Sequence, residues 1–134
     1  MASELRVDTL KDSSGNNSVG MAYVAGGSAK AWINLNGTGT IATRDSLNVA
    51  SLTDEGTGAY QTNLTTSLDN ANYAVTGSAG TSGAASGCWH TTGFNANSYA
   101  TDNQTGSFHT QIYYTTSNVA DTDFVYSAIH GDLA

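Results

Sequence analysis

Apolar and polar residues alternate along most of this chain with a period of two, the spacing of a strand with one covered face. Residues 29–36 are the cleanest case. Ala31, Ile33 and Leu35 fall on one side, and Lys30, Trp32, Asn34 and Asn36 on the other. Asn36-Gly37 follows, a pair suited to a type I′ hairpin turn, which needs positive φ at both central positions. Residues 38–43 then pair back and bring in Ile41. Residues 45–53, with Leu47, Val49 and Ser51 on alternate positions, predict one further strand. Asp54-Glu55-Gly56-Thr57-Gly58 reads as its loop, and Tyr60, Thr62, Leu64, Thr66 and Leu68 mark the returning strand.

The same rhythm holds on either side. Residues 3–12 alternate as a short strand bearing Leu5, Val7 and Leu10, and residues 13–18 have the composition of a turn. Residues 18–27 put Val19, Met21, Tyr23 and Ala25 at period two and stop at Gly26-Gly27. Residues 69–72 predict a turn before Tyr73, Val75 and Gly77, and the small residues of 77–87 predict a long loop. Residues 87–94 set Cys88, His90, Thr92 and Phe94 on one face and Trp89 on the other. Residues 95–106 are polar, with Tyr99 their large side chain. Residues 107–116 alternate most clearly. Residues 122–130 set Val125, Ser127 and Ile129 opposite Phe124, Tyr126, Ala128 and His130. About seven to nine short strands at this spacing predict an all-β fold, an antiparallel β-sandwich of jelly-roll-like type. The expected division is an N-terminal anchoring segment and linker over 1–18 and a single β domain over 19–134, with distal loops in its second half.

Composition sharpens this picture. Among 134 residues there are 15 Ser, 19 Thr and 12 Asn, while only 11% are charged. Lys and Glu, the usual fillers of surface helices, are nearly absent, which argues against a helical bundle. The net charge is −7, with four basic residues. So few cations neutralise few phosphates, so no nucleic-acid partner is expected. No apolar run approaches the ~20 residues of a membrane-spanning helix, and the first residues lack the apolar core of a secretory signal. No membrane insertion is expected. The single cysteine excludes an internal disulfide framework.

Candidate chemistry is sparse. Cys88 and His90 share a strand face, but a thiol nucleophile also needs an orienting third group. His90, His109 and His130 lack the close spacing of zinc ligands. Asp121 and Asp123 share a face, yet a calcium site needs more oxygen ligands. Gly37-Thr38-Gly39 and Gly56-Thr57-Gly58 lack the helix that a phosphate-binding loop leads into. No catalytic residue, metal site or cofactor is therefore assigned, and the protein is not expected to be an enzyme. The aromatics offer more. Tyr and Trp give large contact area at low entropy cost, and Ser, Gly and Asn give adaptable hydrogen bonds. Trp89, Tyr99 and Tyr113 are the candidate receptor-contact residues, with Tyr126 a further aromatic of the outer face.

Several short pieces then occur in one order: Ala29-Lys30-Ala31-Trp32, Asn36-Gly37-Thr38-Gly39-Thr40, Arg44-Asp45-Ser46 with Asn48-Val49, Asp54-Glu55-Gly56-Thr57-Gly58, and Ala71-Asn72-Tyr73. As a run over residues 4–79 they resemble a module of tail-fibre and other virion appendage proteins from marine bacteriophages, notably those of cyanobacteria. The resemblance implies a non-enzymatic virion structural protein. It would be a tail fibre or spike component, homotrimeric, exposed on the particle after assembly in the host cytoplasm. Its implied partners are its sister chains, other virion proteins and a host-surface glycan or protein. Leu5, Val7 and Leu10 are the expected anchors to the particle or to sister chains. Two alternatives stay open: a capsid decoration or head-fibre protein, distinguished by copy number, and a carbohydrate-binding module, distinguished by direct sugar affinity as a monomer.

Overall fold

The structure is a computed structural model. It describes residues 3–81, 89–92 as backbone, 104–113 and 118–134. Among these residues there are ten strands and one short helix, and every strand pairing is antiparallel. The all-β expectation holds.

The chain starts with an arm. β1 (Thr9–Lys11) pairs with β2 (Ser18–Gly20), setting Leu10 opposite Val19. The turn between them is organised by one carboxylate. Asp12 accepts from Asn17 Nδ2 at 2.6 Å, from Asn16 N at 3.0 Å and from Ser14 Oγ at 3.2 Å. The Asn17 hydrogen bond is the main cause that holds this carboxyl below its ordinary 3.8. Because β2 begins at Ser18, the hairpin straddles the expected boundary between 18 and 19.

The arm continues as α1 (Met21–Gly27), not as the strand expected from period two over 18–27. Met and Ala favour helix, and the segment finds no neighbouring strand or core for its alternating side chains, with Tyr23 left 79% exposed. Glycine closes the helix, and Lys30 Nζ donates to the carbonyls of Ala25 and Ser28, filling orphan acceptors at its end.

Two four-stranded sheets form the body. The first has the order β4 (Ala42–Leu47), β3 (Ala31–Asn36), β10 (Phe124–His130) and β7 (Ala74–Gly80). The second has the order β5 (Val49–Gly56), β6 (Ala59–Leu64), β9 (Ser107–Tyr113) and β8 (Trp89–Thr92). Ala31, Ile33 and Leu35 of β3 and Val125 and Ile129 of β10 join Tyr60 and Leu64 of β6 and Phe108 and Ile112 of β9 in one buried cluster. The predicted faces of β3, β6 and β10 are the ones observed. Thr110 Oγ1 of β9 and Ser127 Oγ of β10 meet at 3.5 Å, a polar link between the sheets.

Two local expectations are corrected. Neither Asn36 nor Gly37 has positive φ, so the turn is not type I′. β4 resumes at Ala42 opposite Asn36, and residues 37–41 form a wider loop. Gly37 is needed for another reason: Tyr60 Oη donates to its carbonyl at 3.0 Å, an approach too close for a side chain. The single strand expected over 45–53 is two strands in two sheets. They are divided at Asn48, which adopts φ 57. Its Nδ2 donates to Lys30 O at 3.1 Å and Thr66 O at 3.0 Å, and its Oδ1 accepts from Thr66 N at 2.7 Å. That pinned corner moves the chain from one sheet to the other. β7 runs to Gly80, so residues 77–80 of the loop expected over 77–87 are strand; residues 82–87 lie outside those described.

Candidate functional site

The first candidate is the arm. Every residue from 3 to 19 is exposed, and α1 buries none of its residues. Leu5 is 79% exposed, as is Tyr23, and Leu10 and Val19 lie open on either side of the hairpin. None of these belongs to the core cluster. The expected anchors Leu5, Val7 and Leu10 thus share one exposed element. Lys30 is its root. The side chain of Lys30 holds the end of α1, while its backbone N donates to Ile129 O at 2.8 Å in the body.

The expected receptor-contact residues fare differently. Trp89 opens β8 and pairs in register with Tyr113 of β9. Tyr99 lies outside the described residues, as does Cys88. Tyr113 is 9% exposed, so its expected place on an open contact surface is corrected. It sits in β9, which is flanked on both sides by other strands and buried along its whole length.

The groups weighed for catalysis or metal binding are dispersed. His109 is buried, with Nε2 3.2 Å from Glu55 Oε1. His130 ends β10 in the other sheet. Asp121 Oδ1 accepts from Gly58 N at 2.6 Å and from Tyr60 Oη at 3.3 Å, so it closes loops. Asp123 Oδ1 accepts from Thr38 Oγ1 at 3.4 Å. Burial, and then the Asp121 charge, push the Tyr60 hydroxyl well above the ordinary tyrosine value of 10.0. No cluster of three metal-ligating side chains occurs among the described residues. Nor does any described helix have the length and apolar character to cross a membrane.

The second candidate lies on the outer face of the first sheet, at residues the sequence reading did not single out together. Strand register sets Trp32 beside Ala128 and Ala128 beside Thr76. In the next row Asn34 stands beside Tyr126 and Tyr126 beside Ser78. The result is a groove of about 450 Å³ along β3, β10 and β7. Tyr126 is 41% exposed and stacks on Phe124 at 6.3 Å with 10° between the rings. The Arg44 guanidinium lies 4.6 Å over the opposite partner of that stack, Phe124. Arg44 is itself fixed, because Nη1 donates to Leu35 O at 3.0 Å and to Asp123 O. The signal for this site was present in the alternation, which had already put Trp32, Asn34, Phe124 and Tyr126 opposite the core. What it lacked was the pairing of β3 with β10, which are separated by most of the chain.

No protein-family model, curated protein or solved structure matches the chain.

Proposed function

We propose that this chain is a non-enzymatic virion structural protein, a component of a phage tail fibre or spike that attaches the particle to its host. The resemblance of residues 4–79 to appendage modules motivates the reading. The observation that carries it is the arm, with Leu5, Leu10, Val19 and Tyr23 exposed and outside the core. A two-stranded hairpin alone is marginal in water. Apolar side chains gathered on such an element call for cover from another chain. In this proposal sister chains supply it in a homotrimer, and other virion proteins meet the same arm. In this reading the two sheets pack as a β-sandwich that carries the contact surface away from the particle.

Charge supports assembly through the arm. Residues 1–28 carry two basic and three acidic groups, while residues 29–134 carry two basic and eight acidic groups. Bodies repel one another; arms, near neutrality and of alternating sign, do not. The test removes residues 1–28. The remaining chain is expected to fold with the same β-type circular dichroism. By light scattering the full chain should have the mass of three chains and the truncated one the mass of one. The truncated protein should also fail to enter virions. A full chain that stays monomeric at high concentration, or a truncated chain that still enters virions, would overturn the reading.

A further inference from the structure

We infer that the outer-face groove between Trp32 and Tyr126 is a binding site for an uncharged oligosaccharide. The proposal deepens the attachment reading and rests on it only for the source of the sugar. The binding itself stands on the geometry of the groove.

Trp32 and Tyr126 occupy adjacent rows of neighbouring strands, diagonal to each other across Ala128 and Asn34. Diagonal partners of this kind are separated by about 7–8 Å, a spacing that admits a pyranose ring between or across them. Ala128 is the low point of the floor, since it stands between Trp32 on one side and Thr76 on the other. A larger side chain at 128 would fill the groove that a small one leaves open.

The tyrosine wall is built to stay in place. Tyr126 rests on Phe124, Phe124 lies beneath the Arg44 guanidinium, and Arg44 is tied to the backbone of Leu35. An exposed aromatic ring held in this way loses little further freedom when a ligand stacks on it. Sugar C–H faces pack on such rings, and their hydroxyls require donors and acceptors at the rim.

The rim supplies them. Thr76 and Ser78 offer hydroxyls, and Asn34 offers an amide. Asn34 Oδ1 is sealed from solvent and has no hydrogen-bond partner among the described residues, so a sugar hydroxyl reaches it only when the side chain turns out toward the groove.

Charge selects the ligand class. The groove lining contains no Asp, Glu, Lys, Arg or His. The surrounding body carries an excess of six acidic groups over basic ones. An acidic polysaccharide or a nucleic acid would meet repulsion without a single cation in the groove. A neutral sugar meets none.

The experiment titrates the full-length protein, labelled with nitrogen-15, with maltotriose, cellotriose, laminaritriose and chitotriose at millimolar concentration. Trigalacturonate serves as the acidic control. At least one neutral trimer is expected to move the indole N–H signal of Trp32 in a saturable way, and trigalacturonate to leave it in place. Trp32→Ala and Tyr126→Ala should each weaken binding by about tenfold or more. Ala128→Leu should block the groove with both rings retained, and Tyr126→Phe should keep most of the affinity. The folded state of each variant is checked in the same spectra. The inference is overturned if no neutral trimer shifts the Trp32 signal, or if only the acidic trimer does. It is also overturned if Ala128→Leu binds as the parent does, or if the face variants change only the assembled mass. The last result would make the face a subunit contact. Loss of sugar binding with assembly intact would leave the arm reading standing, so the two can fail separately.

Discussion

The hydroxyl of Tyr60 donates to the carbonyl of Gly37 at 3.0 Å, joining β6 of one sheet to the loop that leaves β3 in the other. A Cβ at Gly37 would fall 2.2 Å from Tyr60 Oη, 2.6 Å from Cζ and 2.9 Å from the Thr122 carbonyl oxygen. Two of these three atoms belong to a fully buried tyrosine side chain and the third to the backbone, so none yields cheaply. Gly37→Ala is therefore expected to destabilise the fold by about 2–3 kcal/mol, the ordinary cost of overpacking. Urea unfolding at neutral pH measures it. An unchanged midpoint would show that the loop relaxes freely and that the contact has no structural weight.

The same tyrosine and Tyr73 set a limit at alkaline pH. Burial raises both hydroxyls above the ordinary 10.0, and Tyr73 is pushed up to about 12. The folded state thus keeps protons that the unfolded chain releases. The stabilisation is complete below the unfolded value and is lost as pH rises through the folded ones. Above pH 10.0 the unfolding free energy should fall by up to about 1.4 kcal/mol per pH unit for each such tyrosine. Tyr60→Phe should reduce the slope. Equal unfolding midpoints at about pH 9 and pH 11 would contradict the burial argument.

Period two made the body legible. Ala31, Ile33 and Leu35, or Val125, Ser127 and Ile129, alternate because one side of each strand faces the core and the other does not. β9 shows where this signal weakens. All seven of its residues are buried, so its polar outer positions are not exposed ones. Ser107 accepts from Gln61 Nε2 at 3.2 Å, and His109 meets Glu55. Alternation distinguishes two faces but not which of them meets water. Short elements were the least legible. Residues 21–27 alternate as a strand would, but a helix satisfies their backbone within the segment, without a neighbouring strand. The outer-face groove depends on β3 meeting β10, a long-range pairing that no local pattern encodes.

Asn48 explains why one apparent strand is two. Position 48 interrupts no alternation, since Leu47 and Val49 lie on either side, and its signal is only that Asn tolerates positive φ better than most residues. Asn48→Ala should cost about 2–4 kcal/mol, because it combines strain at φ 57 with the loss of three hydrogen bonds. Asn48→Gly removes the same bonds but accepts the backbone, so it should cost distinctly less. Thermal or urea unfolding of the pair resolves the two contributions. Equal destabilisation would assign the whole effect to the hydrogen bonds and none to the turn.

The arm gives a prediction in which stability and assembly separate. Leu10 and Val19 face each other across the hairpin, and in the single chain they are 42% and 39% exposed. Replacing both by Ser removes apolar surface that the body does not use. The unfolding free energy of the body should then stay within about 0.5 kcal/mol of the parent, as for other surface substitutions. Assembly should respond strongly if these side chains are buried between chains, because each would forfeit about 1.5–3 kcal/mol of apolar burial per copy. In a threefold assembly that loss is repeated in every subunit, so the double variant should sediment as a single chain at concentrations where the parent does not. A double variant that assembles as the parent does would exclude Leu10 and Val19 from any subunit contact. The anchoring role would then fall to Leu5 and Tyr23, the most exposed apolar side chains of the same arm.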